Sequence, residues 1–68
     1  MVFTPDMIPK LVKRLDMTQV DIAKDVDCTV QALSRWMNGK AGARLQRRHR
    51  ENFIKLCKRY KITEEDLS

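Results

Sequence analysis

The sequence predicts an all-α fold, a compact single domain of four to five short helices filling residues 1–68. Three observations predict it. Apolar residues recur at the i, i+3 and i+4 spacing of a helix through most of the chain. Nowhere do apolar and polar residues alternate with the period of two that a half-buried strand needs. Two threonines, Thr18 and Thr29, each stand directly before such a stretch, where a helix N-cap belongs.

The elements follow in order. Asp6 is the expected N-cap of the first helix, which puts Pro9 in the first turn, where its missing N–H does no harm. Ile8, Leu11, Val12 and Leu15 then form an inward stripe, Lys10, Lys13 and Arg14 face out, and Asp16 ends the helix. Thr18 caps the second helix with Asp21 answering it, and Val20, Ile22, Ala23 and Val26 supply apolar positions. Asp27 and Cys28 make a turn. Thr29 caps a third helix over 30–38, whose Leu33, Trp36 and Met37 point inward. Gly39 suits the left-handed position after a helix. Residues 41–43 read as a short flexible link. The spacing of Leu45, His49, Phe53, Leu56 and Tyr60, widened by Ile54 and Cys57, predicts a helix over about 44–60, in one piece or as a short helix running into a longer one. Thr63 with Asp66 caps a final turn ending at Leu67.

Charge narrows the partner. The net charge is +5, but from Arg35 to Lys61 there are ten basic residues against the single acid Glu51. From Met1 to Ser34 acids outnumber bases five to four, and the last seven residues hold three acids and no base. So localised a positive field fits a polyanion, most simply nucleic acid. A membrane-surface helix would need large apolar residues exposed opposite its charges, and here the core claims them. No apolar run approaches the length of a membrane span, and the first residues lack the basic start and apolar stretch of a secretory signal. The two cysteines, Cys28 and Cys57, stand far apart with one histidine in the chain, so no metal site is expected; they read as buried free thiols of a cytoplasmic, nucleoid-associated protein. Catalysis needs two or three convergent groups in a pocket, and nothing here supplies them, so no catalytic residue, cofactor or small-molecule ligand is expected.

Residues 17–40 concentrate the signal. Two capped helices joined by a tight turn, the second with a polar N-terminal face and a close on Asn38-Gly39-Lys40, suit a helix-turn-helix that lays a short helix in the DNA major groove. The chain resembles the lambda-repressor-like, or Xre-type, helix-turn-helix regulators. The residues that carry the likeness are Thr18-Gln19, Ile22-Ala23, Val26, Cys28-Thr29, Leu33-Ser34-Arg35-Trp36 and Asn38-Gly39-Lys40. Phe53-Ile54, Leu56-Cys57, Tyr60, Ile62-Thr63 and Asp66-Leu67 fit the family's closing helix and last turn. The resemblance spans residues 8–67. It implies a five-helix fold, usually dimeric, that docks helix three in the groove. It further implies that Gln19 touches phosphate, that Val30, Gln31 and Arg35 reach base edges, and that Thr29, Asn38 and Lys40 contact the backbone. Two departures stand out: Asp27 occupies the turn position where the family usually has Gly, and residues 41–52 form a longer, Arg-rich segment. Asp tolerates left-handed geometry, so the turn survives.

Each assignment has a plainer rival. Gln31 can pair with an adenine edge and Arg35 can fork onto a guanine, or both are solvated helix residues. Val30 touches a thymine methyl or packs at the helix start. The Ser34 hydroxyl reaches a base or phosphate, or bonds back to its own helix. Arg44, Arg47, Arg48 and Arg50 follow a DNA strand or form a solvated face; next to Lys40 and with few acids nearby, Arg44, Arg47 and Arg48 are taken as backbone contacts. His49 is a spacer or a partly buried ring, and Trp36 is core.

The expected function is sequence-specific binding to double-stranded operator DNA by a transcriptional regulator. It would act as a repressor, either a phage Cro-like protein or the autoregulator of a small operon, and as a homodimer on an inverted repeat. Tyr60, Ile62 and Leu67 are the expected dimer patch. The chain could also be the DNA-binding part of a longer repressor. The alternative is an antitoxin or adaptor that uses the same fold mainly to bind protein.

Overall fold

A proline sets where the first element begins. The computed structural model describes residues 1–38 and 44–67, and Pro5 opens a single 3-10 turn, Pro5–Met7. Thr4 is therefore the N-cap of this turn, and Met7 that of the α-helix that follows, in place of Asp6. A residue before proline is pushed to extended geometry, which a cap also requires, and Thr4 sits at φ −117°, ψ 156°. Asp6 lies inside the turn, where the Thr4 hydroxyl donates to its carboxylate and holds it below the usual carboxylate range. The turn runs directly into α1 (Ile8–Leu15), with Pro9 in the first turn, and Asp16 ends α1 in the left-handed conformation at φ 53°.

The next two helices start on their predicted caps. Thr18 Oγ1 accepts from the Asp21 N–H at 3.2 Å to open α2 (Gln19–Asp25), and Thr29 Oγ1 accepts from Ala32 N–H at 3.0 Å to open α3 (Val30–Met37). Between them α2 closes in a Schellman motif. The Cys28 N–H reaches back to Ala23 O and Asp27 N–H to Lys24 O, with Asp27 left-handed at φ 56°. The turn is left-handed at Asp27 without a glycine, as the sequence leads one to expect.

The last long helix, α4 (Arg47–Arg59), starts three residues later than its apolar spacing predicts. Gln46 is extended at ψ 151°, and Leu45 is buried from the segment before the helix, not from its first turn. The Arg50 guanidinium turns back to Leu45 O at 3.4 Å and braces that corner. α4 ends like α2: Ile62 N–H bonds Cys57 O, Lys61 N–H bonds Lys58 O, and Lys61 stands at φ 56°. Thr63 and Asp66 then form a reciprocal box. Thr63 N–H donates to the Asp66 carboxylate at 2.9 Å, the Thr63 hydroxyl donates to the same oxygen at 3.0 Å, and Asp66 N–H returns to Thr63 Oγ1 at 3.4 Å. The fifth helix that the resemblance implies is here a 3-10 turn, Glu65–Leu67. Among the described residues there are four α-helices and no strand.

One core joins all of these elements, and each helix buries most of the stripe its spacing assigns, from Ile8 and Leu11 in α1 to Phe53, Leu56 and Cys57 in α4. Phe3, upstream of every helix, is buried with them. Three expectations change. Val20 is 48% exposed on the outer side of α2. Tyr60, at the end of the α4 stripe, is 47% exposed. Ile62 and Leu67 are buried, so the expected C-terminal dimer patch does not exist as an apolar surface: the Thr63–Asp66 box folds the tail back and drives both side chains into the core.

Candidate nucleic-acid interface

α3 presents its polar side outward because its apolar side is held from behind. Leu33 is fully buried and Trp36 is 6% exposed. Trp36 meets two rings of α4, Phe53 edge-on at 6.0 Å and His49 tilted at 5.0 Å between centroids. Successive residues turn by about 100° around a helix. With Leu33 and Trp36 inside, Gln31 and Arg35, four apart, fall on the opposite side, and Asn38 continues the row as the C-cap. All three are exposed. Val30 is 38% exposed at the N-terminal end of this face. Ser34 is half-buried, nearer the core than its neighbours. The face is therefore continuous, and its ends are fixed by Thr29 and Asn38.

The residues expected at the DNA backbone surround it. Gln19 is the first residue of α2 and is exposed. Thr29 is exposed, and its oxygen already accepts the cap bond, which leaves its hydroxyl hydrogen to donate outward. Arg44, Arg47 and Arg48 are all exposed around the start of α4. Arg47 holds Glu51 at 3.4 Å, a pair whose side chains are 89% and 59% exposed. Lys40, with Gly39 and the link 41–43, lies outside the described residues.

One feature at this site was not anticipated. Asn52, half-buried on α4, donates through its side-chain amide to Val26 O at 3.1 Å, joining α4 to the end of α2. The sequence hint was an amide beside Phe53 on the inward edge of α4. His49 Nδ1 is buried, with no hydrogen-bond partner among the described residues. Both cysteines are free thiols with pKa raised by burial, Cys28 also by the charge of Asp27. Among the described residues no three His, Cys, Asp or Glu side chains come close enough to hold a metal ion. No helix there is long and apolar enough to cross a membrane.

A helix-turn-helix family model matches residues 10–47, from α1 through the first residue of α4. No curated protein and no solved structure matches the chain. The match covers more than half of the chain and contains α2, the turn, α3 and its exposed polar face. By this match, and by the geometry of its two capped helices, the chain belongs to the lambda-repressor-like (Xre-type) helix-turn-helix family of DNA-binding transcriptional regulators.

Proposed function

We propose that the protein is a repressor that occupies an operator in double-stranded DNA. In this reading Val30, Gln31, Ser34 and Arg35 meet base edges, Gln31 and Arg35 being the principal readers. Gln19, Thr29, Asn38, Lys40, Arg44, Arg47 and Arg48 hold the phosphate backbone. The observation that carries the reading is the exposed row Gln31–Arg35–Asn38, backed by a buried Trp36 that keeps α3 from rolling. α3 is about 12 Å long at 1.5 Å per residue. That length covers one half-site, which favours two copies related by a two-fold axis and reading inverted half-sites about 34 Å apart.

The test starts with selection of a preferred duplex from a random pool. Gln31→Ala and Arg35→Ala should each weaken binding to that duplex by about 1–3 kcal/mol and binding to random DNA far less. Equal loss on both would remove α3 as the reader. Full tolerance of both substitutions, with only weak DNA binding at physiological salt, would favour the protein-binding adaptor instead. Footprinting decides the stoichiometry, since protection of one unrepeated half-site by one subunit would rule out the dimer.

A further inference from the structure

The carbonyl that closes α2 has no partner within its own helix. Val26 is the C-cap and is fully buried, so its C=O is one of the last-turn acceptors a helix leaves open. The Asn52 amide fills it at 3.1 Å from the second turn of α4. The bond lands at the turn of the helix-turn-helix pair, one residue before left-handed Asp27. The hydrophobic effect is non-directional, whereas a hydrogen bond weakens steeply once its angle is lost. The rings of Trp36, Phe53 and His49 attach α3 to α4, and Asn52 attaches α4 to the turn. Two attachments to the same pair of helices fix an angle that one cannot.

That angle matters because of what else α4 carries. Arg48 lies four residues before Asn52, so the two share one face of α4, and Arg48 is exposed. Arg48 and Asn52 both lie beyond the residues matched by the family, 10–47. We infer that Asn52 is a positioning residue for DNA binding. Its bond to Val26 O locks the rotation of α4, and so holds Arg48 at a fixed place relative to the helix-turn-helix pair. Base and phosphate contacts then form from one rigid surface, without the entropic cost of orienting α4 on arrival. This inference rests on the DNA-binding reading and adds the part of it that lies in α4.

A double-mutant cycle tests it. Arg48→Ala is made alone and with Asn52→Ala or Asn52→Gln, and affinity for the selected duplex is measured against salt where circular dichroism shows each variant folded. Arg48→Ala alone should flatten the slope of log affinity on log salt by about 0.9, one phosphate contact. With Asn52→Ala present the same change should leave the slope where it is, because Arg48 is no longer held at its phosphate. Asn52→Gln keeps the amide donor and should restore part of the Arg48 effect. If Asn52→Ala does not fold unaided, the cycle is read in trimethylamine N-oxide, which favours the folded state, with the same two outcomes. An Arg48 effect of equal size in both backgrounds means that Asn52 only stabilises the core, and overturns the inference. No Arg48 effect in the parent protein removes Arg48 from the interface and this inference with it. The DNA-binding reading itself stands or falls separately, on Gln31 and Arg35.

Discussion

Phe3 lies flat on Phe53, with ring centroids 4.8 Å apart and planes within 7°. Phe53 in turn meets Trp36 edge-on, so a chain of rings runs from the N-terminal segment through α4 to the inner side of α3. The segment before the first helix is thus part of the support of the reading helix. Val2 N–H adds a bond to Glu64 at 3.3 Å and ties the same segment to the tail. Phe3 is 1% exposed. Phe3→Ala should cost about 3 kcal/mol, within the usual range for buried aromatics and a large share of what so small a domain has. Urea unfolding followed by Trp36 fluorescence measures it. A loss under about 1 kcal/mol would mean that the stacked contact is not maintained in solution.

Lys61 offers the opposite change. It is left-handed at φ 56° in the Schellman close of α4, a conformation that costs a residue with a Cβ about 1–2 kcal/mol. Lys61→Gly should stabilise by about 1 kcal/mol after glycine's greater freedom in the unfolded chain is subtracted, raising Tm by about 4–8 °C. Asp27→Gly, at φ 56° in the α2 turn, should gain less, because Asp accepts this region more readily than Lys. A Tm for Lys61→Gly at or below the parent value would show that the strain is not there.

The tail should make the fold acid-sensitive. The Thr63 N–H, then the Thr63 hydroxyl, then Arg14 at 3.4 Å hold the Asp66 carboxyl below its usual pKa. A carboxyl depressed in the folded state stabilises fully above its unfolded pKa, and the contribution is lost as pH falls through the folded one. The expected result is a Tm that drops as pH goes below about 4, the ordinary carboxylate value. Asp6, depressed by the Thr4 hydroxyl, adds to the same trend. Asp66→Asn should lower Tm at neutral pH and shrink the acid-side drop. An unchanged profile would mean that the box contributes nothing to stability.

The thiols should differ in reach. Burial raises both pKa values, so both are neutral near pH 7 and slow to react. Cys28 is half-buried beside the turn, and Cys57 is fully buried in α4. Mass spectrometry after maleimide treatment should find Cys28 modified first and Cys57 only as the protein unfolds. Fast modification of both in the native protein would contradict the packing of α4.

What the sequence reveals here follows from how far its signals reach. The caps at Thr18 and Thr29, the Thr63–Asp66 box and the left-handed turn at Asp27 depend on residues within a few positions, and all are readable from the chain alone. The polar face of α3 is readable too, because Leu33 and Trp36 fix it by periodicity. The start of α4 is not: Leu45 has helical spacing from His49, yet its burial comes from the extended segment that Gln46 ends. The contacts Phe3–Phe53 and Asn52–Val26 join distant residues, and no local rule pairs them. The dimer patch fails for the same reason, since Ile62 and Leu67 look unclaimed until the tail folds back over the core.

The arginines around the start of α4 should set the electrostatic part of binding. Arg44, Arg47 and Arg48 are exposed, and each phosphate they neutralise releases counterions that steepen the salt dependence by about 0.9. Replacing all three with Ala should flatten the slope by up to about 2.7 if each holds a phosphate. Arg47 starts from its pair with Glu51 at 3.4 Å, but that pair is exposed on both sides and so is worth little. Exchanging Glu51 for a phosphate therefore costs Arg47 little, and Glu51→Gln should strengthen DNA binding by freeing Arg47 and removing a repelling charge. The order of preference among duplexes should not move, because phosphate contacts carry no direct sequence information. Two results would sink this assignment: a slope unchanged in the triple variant, which would leave the arginines as a solvated face, or a changed base preference, which would place them in a groove.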